Sequence, residues 1–244
     1  MPHANMKKKA NKTVRRALRA QRAQREADEH ACVTAVCENR ADEVVRMLRK
    51  GVDPNFTVRA YTLCTLAARA GYVAVLAALL SHDADPNKAR TDTGATPCWF
   101  AAAEGHADAI ELLLARGADP NKALTDDGAT PCHVAAYKRR TSVLELLLSQ
   151  RADPNKALTT DGTTPCFVAA EQGHADAVAV LLEHAADPNK ARTTNGATPC
   201  FVAAAEGHAD VVEVLLARGA DPNKARTNDG TTPCFIAAQE GHVA

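Results

Sequence analysis

The stretch Thr96-Pro97-Cys98-Trp99-Phe100-Ala101-Ala102-Ala103-Glu104-Gly105-His106-Ala107-Asp108-Ala109-Ile110-Glu111-Leu112-Leu113-Leu114-Ala115-Arg116-Gly117-Ala118-Asp119-Pro120-Asn121 holds two helix starts and two helix stops. Thr96 suits an N-cap, because its hydroxyl can accept an orphan amide of the first turn. Pro97 suits the first helical position, where its missing N–H is not needed and its φ is already helical. The spacing predicts a helix from Pro97 to about Glu104, stopped by Gly105, a residue that tolerates the left-handed conformation of a helix end. A second helix is predicted from about Asp108, where Ile110, Leu113 and Leu114 lie three and four apart and form one apolar face. Gly117 closes it. Ala118-Asp119-Pro120-Asn121 then leads into a polar stretch ending at Gly128, which reads as an extended, hairpin-like turn.

Shifted by 34 residues, the same reading recurs. Gly94, Gly128, Gly162, Gly196 and Gly230 align, each followed by Ala or Thr and then Thr-Pro-Cys. Asp-Pro-Asn-Lys recurs from Asp85, Asp119, Asp153, Asp187 and Asp221, with a weaker form at Val52-Asp53-Pro54-Asn55. A fixed period of this length signals a solenoid in which each unit buries its apolar face on its neighbours. Along the chain come a divergent unit from about Asp28 to Asn55, an irregular one from Phe56 to about Thr93, four regular ones from Gly94 to Asp229, and a final partial copy. That copy stops at Ala244 with its first helix present and its second missing. Because terminal repeats normally carry a polar outer face, an end that leaves Phe235 and Ile236 apolar is expected to be a truncation rather than a short cap.

The order Thr-Pro-x-x-x-Ala-Ala, Gly-His, Leu-Leu and Gly-Ala-Asp-x-Asn resembles the ankyrin repeat over about residues 28 to 244. Two departures stand out: Cys replaces the family's usual Leu after Thr-Pro, and the unit is one residue longer than the common form. The tetratricopeptide repeat shares the period, but its proline lies near the end of its second helix, whereas Pro97 and its equivalents open the first. The resemblance implies an all-α repeat solenoid of stacked helix-turn-helix units with hairpin-like connecting loops. Residues 28–244 would form this domain of about six repeats and a half repeat, behind a basic N-terminal extension, 1–27, flexible or partly helical. It further implies a monomer without a cofactor that binds another protein on its concave face, through hairpin tips and first helices.

Composition agrees with an intracellular binding protein. The 29 Lys and Arg balance 29 Asp and Glu over 244 residues, and 46% of the chain is hydrophobic. A neutral chain is a poor general binder of nucleic acid, which demands a surplus of cations. The balance hides a split, however. Residues 1 to 25 carry nine Lys and Arg and no acid, which leaves 20 Lys and Arg against 29 Asp and Glu in the rest. No apolar run reaches the roughly 18 residues of a membrane span, and no apolar stretch follows the basic N-terminus as in a secretory signal. Cytoplasm or nucleus is the expected location.

Several constellations imitate chemistry. Cys98, Cys132, Cys166, Cys200 and Cys234 fall one period apart. Equivalent positions on stacked helices lie about 8–10 Å apart, beyond the roughly 7 Å reach of a disulfide, and too far apart to converge on one zinc ion. Each is therefore expected to be a small buried hydrophobe. The repeated Gly-His-Ala-Asp (His106 and Asp108, His174 and Asp176, His208 and Asp210) is assigned to the turn between helices, the imidazole satisfying backbone groups and the carboxylate favouring a helix start. Asp126-Asp127-Gly128 and Asp161-Gly162 lack the spaced ligands of a calcium loop. No catalytic, cofactor-binding or metal-binding residue is assigned, and an enzyme is not expected.

Positions that differ between copies are the candidate partner-binding residues. Aromatic residues two positions after the proline, Trp99, Phe167, Phe201 and Phe235, with His133 in their place in the fourth unit, are expected to pack between repeats or to reach the concave side. Trp99 is the candidate anchor. Glu104, Glu171 and Gln172 end first helices, and Asp126 and Asp127 stand on a hairpin tip. Leu124 and Leu158 replace the arginines of other hairpins (Arg90, Arg192, Arg226) and are expected to be exposed. The fourth unit breaks the pattern: Tyr137-Lys138-Arg139-Arg140 replaces Ala-Glu-Gly-His, which presents an aromatic and three cations among acids, unless the break is drift. Without glycine, Arg139 must take a left-handed conformation or the turn must remodel.

The basic clusters Lys7-Lys8-Lys9 and Arg15-Arg16 are read first as a solvated, partly helical extension, then as a nuclear import signal or a phosphate contact. The expected function is a non-enzymatic protein-interaction scaffold. The alternative is a nuclear or nucleic-acid-associated regulatory factor whose tail contacts phosphates while the repeats recruit a partner.

Overall fold

The structure is a computed structural model that describes the backbone of residues 2–242 and the side chains of residues 13–242. Among these residues thirteen helices stack in two layers. The first helices of successive units are α1 (Pro2–Cys37), α3 (Leu63–Ala70), α5 (Pro97–Glu104), α7 (Pro131–Tyr137), α9 (Pro165–Glu171), α11 (Pro199–Ala205) and α13 (Pro233–Gln239), each packed on the next. The second helices are α2 (Ala41–Arg49), α4 (Val73–Leu80), α6 (Ala107–Ala115), α8 (Thr141–Ser149), α10 (Ala175–Glu183) and α12 (Ala209–Ala217), stacked alongside in the same way. This is the expected helical solenoid. The irregular second unit adds a two-stranded ribbon, β1 (Thr57–Val58) and β2 (Tyr61–Thr62), turned through Arg59 and Ala60 at φ 47° and 72°.

Local sequence sets each helix start. Thr96, Thr164, Thr198 and Thr232 accept hydrogen bonds from the amides of Trp99, Phe167, Phe201 and Phe235, with proline at the first helical position in every case. Such caps contribute about 1 kcal/mol each. The buried faces carry alanine and Cys98, Cys132, Cys166 and Cys200 on first helices, and Ile110, Leu113, Leu144, Leu147, Leu181 and Leu215 on second helices. Burial pushes the Cys98, Cys132 and Cys166 thiols up to about 12, because the thiolate is desolvated there. Cys234 departs from the expectation for its series: it is exposed, as is Cys37.

Three polar ladders join the units. Asn155 donates from Nδ2 to the Ala185 carbonyl (2.9 Å) and accepts the Asp187 amide at Oδ1 (2.7 Å), and Asn55, Asn87, Asn121 and Asn189 make the equivalent pair of bonds. Hairpins bond edge to edge, with the Thr125, Thr159, Thr193 and Thr227 amides donating to the carbonyls of Thr93, Asp127, Asp161 and Asn195. Gly94 is required for this approach, since a Cβ there would lie 2.7 Å from Thr125 Cγ2. In the third ladder the turn histidines reach back one unit. His106, His208 and His242 donate from Nε2 to the carbonyls of Arg69, Glu171 and Ala205 at 3.1, 3.2 and 3.1 Å. Their repetition is thus structural, as the sequence implied.

Candidate functional site

Hairpin tips and the C-terminal turns of the first helices present the residues that differ from unit to unit. A common arrangement underlies them. Arg192 lies over the Phe167 ring (4.1 Å to its centroid) and pairs with Asp161 at 3.4 Å and Glu171 at 3.2 Å. Arg226 lies over Phe201 and pairs with Asp229, while Arg90 lies over Tyr61 and pairs with Asp92. A guanidinium on an aromatic face gains cation–π attraction while its edge stays free for a carboxylate. These arginines and acids are therefore committed within the framework, Glu171 among them.

At the third and fourth units Leu124 and Leu158 stand in place of those arginines, and both are half-buried rather than exposed. Asp126, at the tip between them, is exposed, and Asp127 is half-buried with Oδ1 accepting the Ala129 amide at 2.9 Å. Trp99 is half-buried against Phe100, ring edge to face at 5.5 Å, and its Nε1 is buried without an acceptor among the described residues. Glu104 and Gln172 are exposed on the ends of their helices.

His133 does not reach the surface. It is 4% exposed; its Nδ1 accepts the Thr130 amide at 3.1 Å, and its Nε2 donates to the Thr163 carbonyl at 3.2 Å. The ring closes the capping box of α7 and ties it to the next unit. Burial holds its pKa below the ordinary imidazole value. A histidine in an aromatic slot gave no sequence signal for this, beyond its position three residues after Thr130.

All four residues of the fourth-unit break are exposed, and two of them bond to neighbouring units. Arg139 keeps the turn with φ 53° and pairs with Asp176 at 3.2 Å. Arg140, which aligns with the turn histidines, takes over their task by donating from Nε to the Ala103 carbonyl at 3.4 Å. The 34-residue register of Arg140 with His106 carried that signal. Tyr137 and Lys138 face solvent, the ammonium 5.4 Å from the ring centroid. Tyr137 is 51% exposed, and among the described residues no other large hydrophobic side chain between Leu18 and Leu216 is exposed.

One apolar groove was not anticipated. Ala204, Val212, Leu216, Pro233 and Ala237 line it between α11, α12 and α13. One unit earlier α12 packs against α10 and α11, so the groove is the next position of the second-helix layer. Leu216, part of this lining, is exposed for the same reason.

A model of the family described as ankyrin repeats (3 copies) matches residues 32–123, 66–157, 100–192, 133–226 and 189–244. The chain belongs to the ankyrin-repeat family. Among solved structures it is similar to the ankyrin repeat domain of Bcl-3, a member of the IkappaB protein family, with a TM-score of 0.77, 23% identity, and coverage of 85% of this chain and 93% of that one. It is also similar to the human ASB11 ankyrin repeat domain, with a TM-score of 0.73, 25% identity, and coverage of 84% and 90%. No curated protein sequence matches. Ankyrin repeat domains are generally protein–protein interaction modules. Among the described residues no helix is long and apolar enough to cross a membrane.

Of the basic-cluster residues, Arg15 and Arg16 are exposed on α1, and the side chains of Lys7, Lys8 and Lys9 lie outside the described residues.

Proposed function

We propose that this ankyrin-repeat chain is a non-enzymatic scaffold, acting in the cytoplasm or nucleus, that binds a partner protein on its hairpin and first-helix face. Its centre is the third to fifth units. The observation that carries this reading is Tyr137: an aromatic side chain half out of the surface, beside Lys138, in a stack whose other first helices end in cysteine, alanine, glutamate or glutamine. Tyrosine supplies contact area at low entropy cost and is favoured at interface centres. Glu104, Asp126 and Gln172, exposed on the third and fifth units, would supply its polar rim. Stacked units joined by the asparagine and histidine ladders hold these groups in register before the partner arrives, which limits the ordering entropy of association.

The test compares capture from a native extract by the intact chain and by Tyr137→Ala, Lys138→Ala, with circular dichroism confirming equal folding. A partner retained by the first and lost from the second is the expected result. Recovery of the same proteins by both would sink the assignment of the fourth unit as the centre.

A further inference from the structure

Helix α1 runs unbroken from Pro2 to Cys37. Its last turns belong to the first repeat, where Cys32, Ala35 and Val36 are buried. Residues 13 to 27, by contrast, are exposed on every side. The basic extension is therefore a helical arm, continuous with the repeat stack.

The helix sorts its charges. Arg15, Arg19 and Arg22 are spaced four and three apart, which places them on one face, with Arg16 and Arg25 beside it, and in the sequence Lys8 and Lys12 continue the same spacing. Over residues 8 to 22 the helix rises about 21 Å at about 1.5 Å per residue. No acid precedes Glu26, which pairs with Arg22 at 2.8 Å, and Glu29 pairs with Arg25 at 2.7 Å. Arg15, Arg16 and Arg19 thus have no carboxylate within a helical turn. Ala17, Gln21 and Gln24 occupy the opposite face, which is too small and polar to enter a bilayer; Val14 and Leu18 are the only exposed large apolar side chains described on the arm.

We infer that the arm is a phosphate-binding helix for double-stranded DNA, a function separate from the surface proposed above. The B-form major groove is about 12 Å wide and admits an α-helix, and arginine forks match phosphate oxygens in pairs. The excess of Asp and Glu in the repeats repels the duplex, so contact is confined to the arm and the stack is held clear of the DNA. Binding is independent of base sequence, because phosphate contacts position a protein without reading bases.

The experiment is fluorescence anisotropy of a labelled duplex of about 20 base pairs of mixed sequence, titrated with the full chain. For four phosphate contacts, affinity falls about 100-fold between about 50 and about 200 mM salt. Arg15→Gln, Arg16→Gln, Arg19→Gln keeps the helix formers and removes three contacts, so affinity falls about tenfold or more and the slope of log K against log salt shrinks by about 2.7. Ala20→Pro keeps every charge but breaks the arm, and it also weakens binding if the helix aligns the stripe. Circular dichroism and thermal unfolding of the repeats serve as controls. Failure of the intact chain to bind the duplex, equal binding by the arginine variant, or full affinity of Ala20→Pro each overturns the inference. So does binding to phosphatidylserine–phosphatidylcholine vesicles without binding to the duplex.

Discussion

Arg139 displaces the hydrogen bond of His174 by one carbonyl. At Gly71, Gly173 and Gly207 the next unit's His106, His208 and His242 lie so close that a Cβ would come within 2.7–2.8 Å of the ring. Those imidazoles donate from Nε2 to the carbonyl two residues before the glycine. Arg139 has a Cβ in that space, and His174 instead donates from Nδ1 to Ala136, three residues before it, at 3.0 Å.

Arg139→Gly should therefore stabilise the chain. A non-glycine residue in the left-handed region costs roughly 1–2 kcal/mol, while the exposed pair with Asp176 is worth at most about 1 kcal/mol. A net gain of about 1 kcal/mol in urea unfolding is expected. A loss of stability would show that the Asp176 contact matters more than the backbone.

Gly173→Ala tests the same packing from the other side. It adds left-handed strain and drives a Cβ to 2.8 Å from the His208 ring. Destabilisation of about 2 kcal/mol is expected. Combining it with His208→Ala removes the clash, so the double variant should fall short of the sum of the singles. Additive losses would mean that strain alone acts.

Asn155→Ala removes two bonds between units and leaves the Ala185 carbonyl and the Asp187 amide without their partner. A loss of about 2 kcal/mol is expected. Asn223, whose side chain bonds to no later unit among the described residues, should tolerate the same change with less than about 0.5 kcal/mol lost. Equal losses would place the effect in the local turn, where both amides donate to an Asp carboxylate two residues earlier, rather than in the ladder.

Acid should weaken the fourth unit. His133 binds a proton less readily folded than unfolded, because burial penalises the charged ring. The stability of the neutral form is complete above about pH 6.5, the unfolded value, and is lost as pH falls below it. His133→Phe, the residue of the equivalent slots, should flatten the acid side of the stability profile between about pH 7 and about pH 5. An unchanged slope would assign the acid sensitivity elsewhere.

Thiol reactivity should follow burial. Cys37 and Cys234 should react with a thiol reagent in the native state, and Cys64, Cys98, Cys132 and Cys166, with their thiols pushed up to about 12, only on unfolding. Protection of Cys234 would place a cover over the groove beside it.

The stacked helices were legible in the sequence because their causes are local and repeated. Thr96-Pro97, Gly105 and the Ile110-Leu113-Leu114 face set starts, stops and buried sides within one unit, and the period copies them. Arg139 was legible too, since a missing glycine leaves a lone backbone problem. What only the tertiary structure decided lies between units, where residues some 21 to 38 positions apart meet. Leu124, Leu158, His133 and Glu171 looked available in a single unit, yet in the stack the leucines are half-buried, and the next unit bonds to the imidazole and pairs the carboxylate. Arg140 stays exposed, yet the Ala103 carbonyl of the preceding unit supplies it with an acceptor that a single unit does not show. Periodicity alone determined which positions recur; whether a recurring or variant side chain faces solvent depended on the neighbour that stacking brings against it, and that contact is a property of the assembled solenoid.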